Sequence, residues 1–335
     1  SIGTVADGSA SSIGAGSGST GFVNLNGGTL RYTGSTGSTS RNFTVSLAST
    51  IDITSASASL TLGGALSGSG LLTKQGSGTL VLSGSGGLSG GAVISAGTLQ
   101  LGSSSAFSGG TLAVNAGTLD LNGQTLSNAV TLGGGALTGG GTISGKVSGS
   151  LGLSKSDNST LVLSGSGNDY TGGTALSAGT LRAGATGAFS SGAIALNGGT
   201  LDANGQSLAN DITFNGGALT GGGTLSGKLQ DGTSQGSVAV SSGTLTLSGA
   251  NTYTGGTSLS SGQLNLNSAS ALGSGALTIT GGTLGSTGAG AVTLSTNNAQ
   301  SWNGDFTFAG AKDLNLGTGA VTLSASRTVT VSAGN

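Results

Sequence analysis

The chain has 335 residues, of which 72 are glycine and only 6% are charged, and it has no cysteine, histidine or glutamate. Disulfides, thiol catalysis and thiolate metal sites are therefore excluded. Nine Lys and Arg against ten Asp leave a net charge of −1, with no basic stripe to neutralise phosphates, which removes the main source of nucleic-acid affinity.

No run approaches the ~18 apolar residues of a membrane-spanning helix, and no basic-then-apolar opening resembles a signal peptide. Chains rich in Gly, Ser and Thr are often linkers or disordered tails. Against that, 34% of the residues are hydrophobic, whereas disorder combines low hydrophobicity with high net charge. Proline is absent, and no charge run or composition shift marks a linker. Residues 1–335 are therefore expected to form one continuous segment.

In chain order, Asn26-Gly27-Gly28 opens the series of turn signals. The alternating runs Thr79-Leu80-Val81-Leu82, Leu99-Gln100-Leu101, Thr111-Leu112-Ala113-Val114 and Leu119-Asp120-Leu121 follow. Period-two runs of this length, bounded by Gly, Ser and Asn, predict short strands. Asn122-Gly123 and Asn204-Gly205 supply further corners. No segment keeps a 3.6-residue period over a helical length, and glycine is too dense for helix interiors.

The runs recur. Gly78-Thr-Leu-Val-Leu-Ser-Gly-Ser-Gly (78–86) returns as Ser159-Thr-Leu-Val-Leu-Ser-Gly-Ser-Gly (159–167), and as Gly243-Thr-Leu-Thr-Leu-Ser-Gly-Ala-Asn (243–251). The segment 135–142 is copied at 217–224, an offset of 82. The clearest copies of this super-repeat are 72–152 and 153–237, with a partial copy at 238–335. Inside it, Leu80, Leu99 and Leu119, then Leu161, Leu181 and Leu201, then Leu245, Leu264 and Leu284, recur at a nearly constant interval. That interval, about 20 residues, falls in the range of solenoid repeats. A propeller blade needs about 40–50 residues, and a sandwich has no need of uniform intervals. The spacing predicts an all-β parallel β-helix (β-solenoid) with coils of about 20 residues, in which these leucines stand above one another. Each coil is too small to hold itself together, so neighbours above and below supply the stability. The two ends, Ser1-Ile2-Gly3-Thr4 and Val331-Ser332-Ala333-Gly334-Asn335, carry no cap. That predicts either a piece of a longer protein or ends that stack on identical chains.

Three segments carry a family resemblance: Leu72-Thr-Lys-Gln-Gly-Ser-Gly-Thr-Leu-Val-Leu-Ser-Gly (72–84), Ser95-Ala-Gly-Thr-Leu-Gln-Leu (95–101) and Asn251-Thr-Tyr-Thr-Gly-Gly-Thr (251–257). Together they resemble the autotransporter-associated β-strand repeat, also called the passenger-associated transport repeat. Residues 72–102, 153–181 and 238–266 follow its pattern. Leu88 stands where the pattern has Tyr, Ser-Asp-Asn follows Lys155, and the third copy lacks the Lys. The resemblance implies a right-handed single-stranded parallel β-helix from the secreted passenger of a bacterial surface protein, extracellular or on the outer surface of a Gram-negative-type cell. The membrane barrel of such proteins has no counterpart in this sequence.

Several β-helix proteins cleave polysaccharides, chemistry that needs gathered carboxylates or a carboxylate with a basic partner. The ten aspartates are scattered. Asp120 and Asp202 occupy equivalent positions, as do Lys146 and Lys228, each pair at the same offset of 82. Residues that recur with the architecture read as scaffold, so no catalytic residue is expected. Asn168-Asp169 and Asp157-Asn158 lack the tandem nonapeptides of a calcium β-roll and read as turn residues. Neither a metal nor a cofactor is expected.

Trp302, with Phe306 and Phe308 nearby, reads as packing rather than a sugar platform. The equivalent pairs Phe107/Phe189 and Tyr170/Tyr253 read the same way. Outer Thr and Ser positions form hydroxyl arrays of the kind that bind ice or crystalline polymers, but Ala, Asn and Gly interrupt them. The expected function is a structural, non-enzymatic segment of a surface adhesin or fibre. In that role it acts as a rigid stalk and supports secretion, folding and cell contact. The alternatives are a self-assembling filament subunit and, last, a glycan-active enzyme. Expected partners are neighbouring repeats or identical chains, and a host or neighbouring-cell surface.

Overall fold

The computed structural model describes residues 1–7, 13 and 21–333. Gly334 and Asn335, the last two positions of the uncapped end, lie outside the described residues. Among the described residues there are strands and turns but no helix, and the strands pair in parallel. The fold is a parallel β-solenoid, and its coils have the length expected from the leucine interval. The chain divides into two compact units, Ser1–Gly172 and Gly173–Asn335.

In the first unit a coil runs through three short strands separated by corners. Ser59–Leu62, Leu66–Gly68 and Leu72–Gln75 make one such coil, and Thr79–Leu82, Gly86–Leu88 and Ala92–Ile94 make the next. Alternation puts Leu80 and Leu82 inward and Thr79 and Val81 outward. Pairing in register then stacks Leu60, Leu80, Leu99, Leu119 and Leu137 into one column. A second wall stacks Ile51, Lys74, Ile94, Val114 and Leu132. Burying each aliphatic side chain contributes about 1.5–3 kcal/mol, so every added coil extends both faces of its neighbour.

The second unit repeats the device. Leu181, Leu201 and Leu219 lie in register, and Leu245, Leu264 and Leu284 form a separate column that continues to Phe308 and Val331. The phase and interval of the repeated leucines are thus those read from the sequence.

The Gly-Thr-Leu tripeptide is the corner that begins such a strand. Gly97 has φ +64°, and a Cβ there would run into the carbonyls of Gly76 and Gly78 on the coil before it. Gly199, with φ +66°, meets the carbonyl of Gly179 in the same way. Both the left-handed backbone and the close approach demand glycine. The Thr that follows faces out and the Leu faces in.

Some coils replace the middle strand with an arc, and these arcs account for the recurrent aromatics. The arc 102–111 lies between strands Thr98–Leu101 and Leu112–Val114, and 184–193 lies between Thr180–Ala183 and Ile194–Leu196. Each sends a buried Phe inward, Phe107 and Phe189 respectively. The arc 248–256 does the same with Tyr253, and 267–276 with Leu272. A large side chain from the arc fills the volume that a strand's smaller residues fill elsewhere. Tyr170 is likewise buried.

Arcs leave backbone carbonyls that no ladder satisfies, and buried asparagines on following coils supply the donors. Asn128 Nδ2 donates to the carbonyls of Gly109 and Gly110. Asn210 Nδ2 donates to Phe189, Ser190 and Gly192 at 3.2, 3.1 and 2.6 Å. Asn298 clamps Gly273 and Gly275 in the same manner, and Asn251, on the coil before, donates to the Ala271 carbonyl at 2.7 Å.

Candidate functional site

Polar groups on the solenoid fall into separate constellations, and each is tied to the coil beneath or above it. Asp120 ends strand Thr118–Asp120. Its Oδ1 accepts from the Asn122 N–H at 2.9 Å, and its Oδ2 accepts from Gln100 Nε2 at 2.6 Å. Asp202 repeats this: Oδ1 accepts from the Asn204 N–H at 2.9 Å, and Oδ2 lies 3.3 Å from Arg182 Nε. Each carboxylate caps a corner whose Asn, at φ 49° or 50°, is left-handed. Both carboxylates are engaged at their corners, and Asp157, whose Oδ2 accepts from the Gly139 N–H at 2.9 Å, borders the same glycine as Asp120.

Lys146 Nζ meets Asp169 Oδ2 at 2.6 Å, with side-chain exposures of 49% and 58%. Such an exposed pair is worth no more than about 1 kcal/mol. At Lys228 it is the backbone N–H that is engaged, donating to Asp211 Oδ1 at 2.8 Å. Asn168 is buried and accepts the Val147 N–H at 2.7 Å, while its neighbour Asp169 holds Lys146. Asn158 is exposed. The two Asn/Asp pairs serve different contacts, and among the described residues no group of three acidic ligands could hold a metal ion.

Trp302 belongs to an inward column, Leu259, Ile279, Trp302 and Leu323. Its ring packs edge-on to Phe306 at 5.1 Å, and its Nε1 donates to Gln300 Oε1 at 3.1 Å. Phe306 is buried and Phe308 half-buried. On the outer face of the first unit Thr79, Thr98 and Thr118 stand in register, and Ala136 ends the run. The neighbouring outer column reads Val81, Gln100, Asp120 and Thr138. A hollow of about 410 Å³ is lined by Gly3, Tyr32, Thr36 and Thr61, among others, with no carboxylate, lysine or arginine among its lining residues.

Two buried lysines escaped the sequence reading. Lys74 is 1% exposed and sits within the Ile51–Ile94 column. Its Nζ turns to the corner and donates to the carbonyls of Gln75, Gly76 and Ala96 at 2.8, 2.9 and 3.2 Å. Burial pushes its pKa down to about 8, while the Asp52 carboxylate acts the other way. Lys155 is fully buried and donates to the carbonyl and the Oδ1 of Asp157. Asp157 Oδ2 in turn accepts from Ser159 Oγ and from the Gly139 N–H. The signal was present in the alternation. Leu72 and Leu153 are inward, so a residue two positions on is inward too. In the third repeat Val240 occupies that place, beside a cavity of about 20 Å³ that Gly221, Gly222 and Ser242 also line.

Parts of this sequence are shared with known proteins. The family model described as passenger-associated-transport-repeat matches residues 72–101, 99–121, 153–183 and 240–266. The model matches four segments, one more than the three expected from sequence. The additional one, 99–121, covers the coil whose arc carries Phe107. Among curated proteins the chain is similar to the adhesin BmaC autotransporter of Brucella suis biovar 1 (strain 1330), with 40% identity over 200 residues, which is 58% of this chain. The match spans 6% of that relative's length. No solved structure matches the chain.

Proposed function

We propose that the chain is a structural, non-enzymatic segment of the secreted passenger of a cell-surface adhesin, displayed outside a Gram-negative bacterium. There it acts as a rigid stalk, and its coils assist secretion and folding and hold up surfaces that make cell contact. One observation carries this reading: the four segments that match the passenger-associated-transport-repeat model fall on coils whose Asp, Lys and Asn side chains are largely committed to corners and arcs. Similarity to an autotransporter adhesin supports the same conclusion. Each coil presents a finished template for the next, which suits a chain that emerges and folds progressively.

The test is deletion of whole coils, for example 79–98, from the full-length parent protein in its own host. Surface display read by antibody and protease accessibility should persist with a shorter reach, while cell binding falls. Unchanged binding would remove the stalk role, and cleavage of a polysaccharide panel by the purified chain would remove the non-enzymatic reading.

A second reading is a filament subunit. It rests on Val321, Leu323, Val329 and Val331, which are 44%, 49%, 38% and 66% exposed on strands whose partners face the core. Concentration-dependent light scattering by the purified chain supports it, and a monomer at all concentrations eliminates it.

A further inference from the structure

Six asparagines are followed directly by glycine: Asn26, Asn122, Asn197, Asn204, Asn215 and Asn303. This dipeptide is chemically labile because glycine has no Cβ to block its own nitrogen. The deprotonated Gly nitrogen attacks the Asn Cγ and a C–N bond forms. The Cγ–Nδ2 bond breaks, and ammonia leaves with the proton. Water then opens the cyclic imide at either carbonyl, giving aspartate or isoaspartate. No oxidant, enzyme or metal is needed. Two things prevent the reaction in a folded chain: a hydrogen bond that holds the Gly N–H, and contacts that stop the Asn side chain from turning back onto it.

The solenoid applies these restraints unevenly. At Asn122 the Gly123 N–H donates to the Gly139 carbonyl at 2.8 Å, and Asn122 Nδ2 donates to the Leu101 carbonyl at 3.2 Å. At Asn204 the Gly205 N–H donates to the Gly221 carbonyl at 2.7 Å, and Asn204 Nδ2 donates to the Ala183 carbonyl at 3.0 Å. Asn215 Nδ2 donates to Asn197 Oδ1 at 2.8 Å, and Asn215 Oδ1 accepts from the Thr233 N–H at 2.9 Å. Asn197 and Asn215 thereby fix one another. Asn303 is exposed, but the Gly304 N–H reaches the Ile279 carbonyl at 3.2 Å, and Gly304 is pressed against the backbone of Thr280.

Asn26 differs from all of these. It is exposed, and its strand Phe22–Tyr32 changes register between Leu25 and Asn26. Gly27 and Gly28 are both at positive φ, with open space where their side chains would be. The Gly27 N–H is held by a side chain instead of a ladder carbonyl: it donates to Ser49 Oγ at 3.0 Å, and Ser49 Oγ donates to the Leu47 carbonyl at 2.8 Å. Asn26 thus combines a Gly N–H held by a hydroxyl rotor with a side chain that makes no hydrogen bond among the described residues, whereas Asn215, whose Gly216 N–H finds no backbone carbonyl, has both of its side-chain polar atoms held.

We propose that Asn26 is a site of spontaneous deamidation in the folded protein, and that the Ser49 hydroxyl is the restraint that slows it. The product places a negative charge beside a chain of net charge −1. In the isoaspartate form it also adds a methylene to the main chain where Asn26 pairs with Leu47.

The experiment incubates the purified chain at mildly alkaline pH, folded and in urea, and follows each Asn-Gly site by peptide mass spectrometry with isoaspartate detection. In urea all six sites should react at similar rates. In the folded chain Asn26 should react within about threefold of its unfolded rate, while Asn122 and Asn204 react more than about tenfold slower than theirs, because local opening sets their rate. Ser49→Ala should accelerate Asn26 alone, and Asn26→Gln should remove the leading acidic species. If Asn26 is as protected as Asn122, or if another site leads in the folded chain, the proposal is overturned. If Ser49→Ala accelerates all six sites together, the variant has unfolded, and the wild-type site ranking then decides the question.

Discussion

The phenol of Tyr253 and the hydroxyl of Thr257 form a buried hydrogen bond of 2.6 Å. In the first repeat the same two places hold Leu88 and Ala92, both buried and neither able to hydrogen-bond through its side chain. The departure from the repeat pattern at Leu88 is therefore matched by a second change four residues on. Phenol and hydroxyl are present together or absent together.

Tyr253→Phe should strand the Thr257 hydroxyl in the core and cost about 1–2 kcal/mol. Adding Thr257→Val should recover much of that loss, because both partners are then apolar. Denaturant unfolding of the single and double variants measures the coupling, and additive losses would contradict the pairing. Burial raises the Tyr253 pKa above its ordinary value, so the phenol is protonated at neutral pH.

Lys74 makes stability depend on alkaline pH. Its folded pKa is about 8 against an ordinary 10.5, so between those values the unfolded chain binds more protons than the folded one. Stability should therefore rise as pH goes from about 8 to 10.5, as the linkage relation requires. Lys74→Met should flatten that rise and stay within about 1–2 kcal/mol of the parent at neutral pH, since an apolar side chain of similar length fits the column. Lys74→Ala should lose about 2–4 kcal/mol to the cavity it leaves. Thermal melts across the pH range separate the three proteins.

Asp157 acts at the other end of the scale. Burial raises its pKa, but hydrogen bonds from Lys155, Ser159 and the Gly139 N–H outweigh that and hold it at about 2, below the ordinary 3.8. Its contribution is fully present above pH 3.8 and is lost as pH falls through about 2. Asp157→Asn should remove this acid-linked loss. It should also cost about 1–2 kcal/mol at neutral pH, because the buried Lys155 ammonium loses its counter-charge. An acid titration followed by circular dichroism tests both points.

Corner glycines should differ sharply in their tolerance of a methyl group. Gly97→Ala drives a Cβ into the Gly76 and Gly78 carbonyls and should cost more than about 2 kcal/mol. Gly123→Ala has a similar positive φ of +76° but meets nothing within 4 Å. It should cost only about 1 kcal/mol of backbone strain. Equal losses at the two positions would show that the close approach between coils is not what selects glycine.

The columns were legible in the sequence because a period-two strand repeated at a coil's length leaves a phase that leucine reports directly. Leu80, Leu99 and Leu119 needed no further information. Lys74 was hidden by its chemistry: its position in the alternation said inward, but a lysine is ordinarily placed at the surface, and the corner carbonyls that receive its Nζ come partly from another coil. The asparagine clamps were hidden for a related reason. Asn210 reaches carbonyls 18 to 21 residues away, and nothing in its local neighbours marks it off from an ordinary turn residue. Asp120 and Lys146 were read as scaffold from their recurrence alone, and each is found holding an atom of another coil.

The arcs give the chain a place to change length without losing alignment. Tyr170 stands seven residues after Leu163, whereas Tyr253 stands six after Leu247. Even so, Leu245 still pairs with Leu264 and Leu201 with Leu219. Insertions and deletions between copies can therefore accumulate in the bowed connections, where an aromatic plug and an asparagine re-anchor whatever backbone is there. The vertical order of the core tolerates no such drift. A lineage of these proteins can diverge in coil length and still exchange coils by recombination.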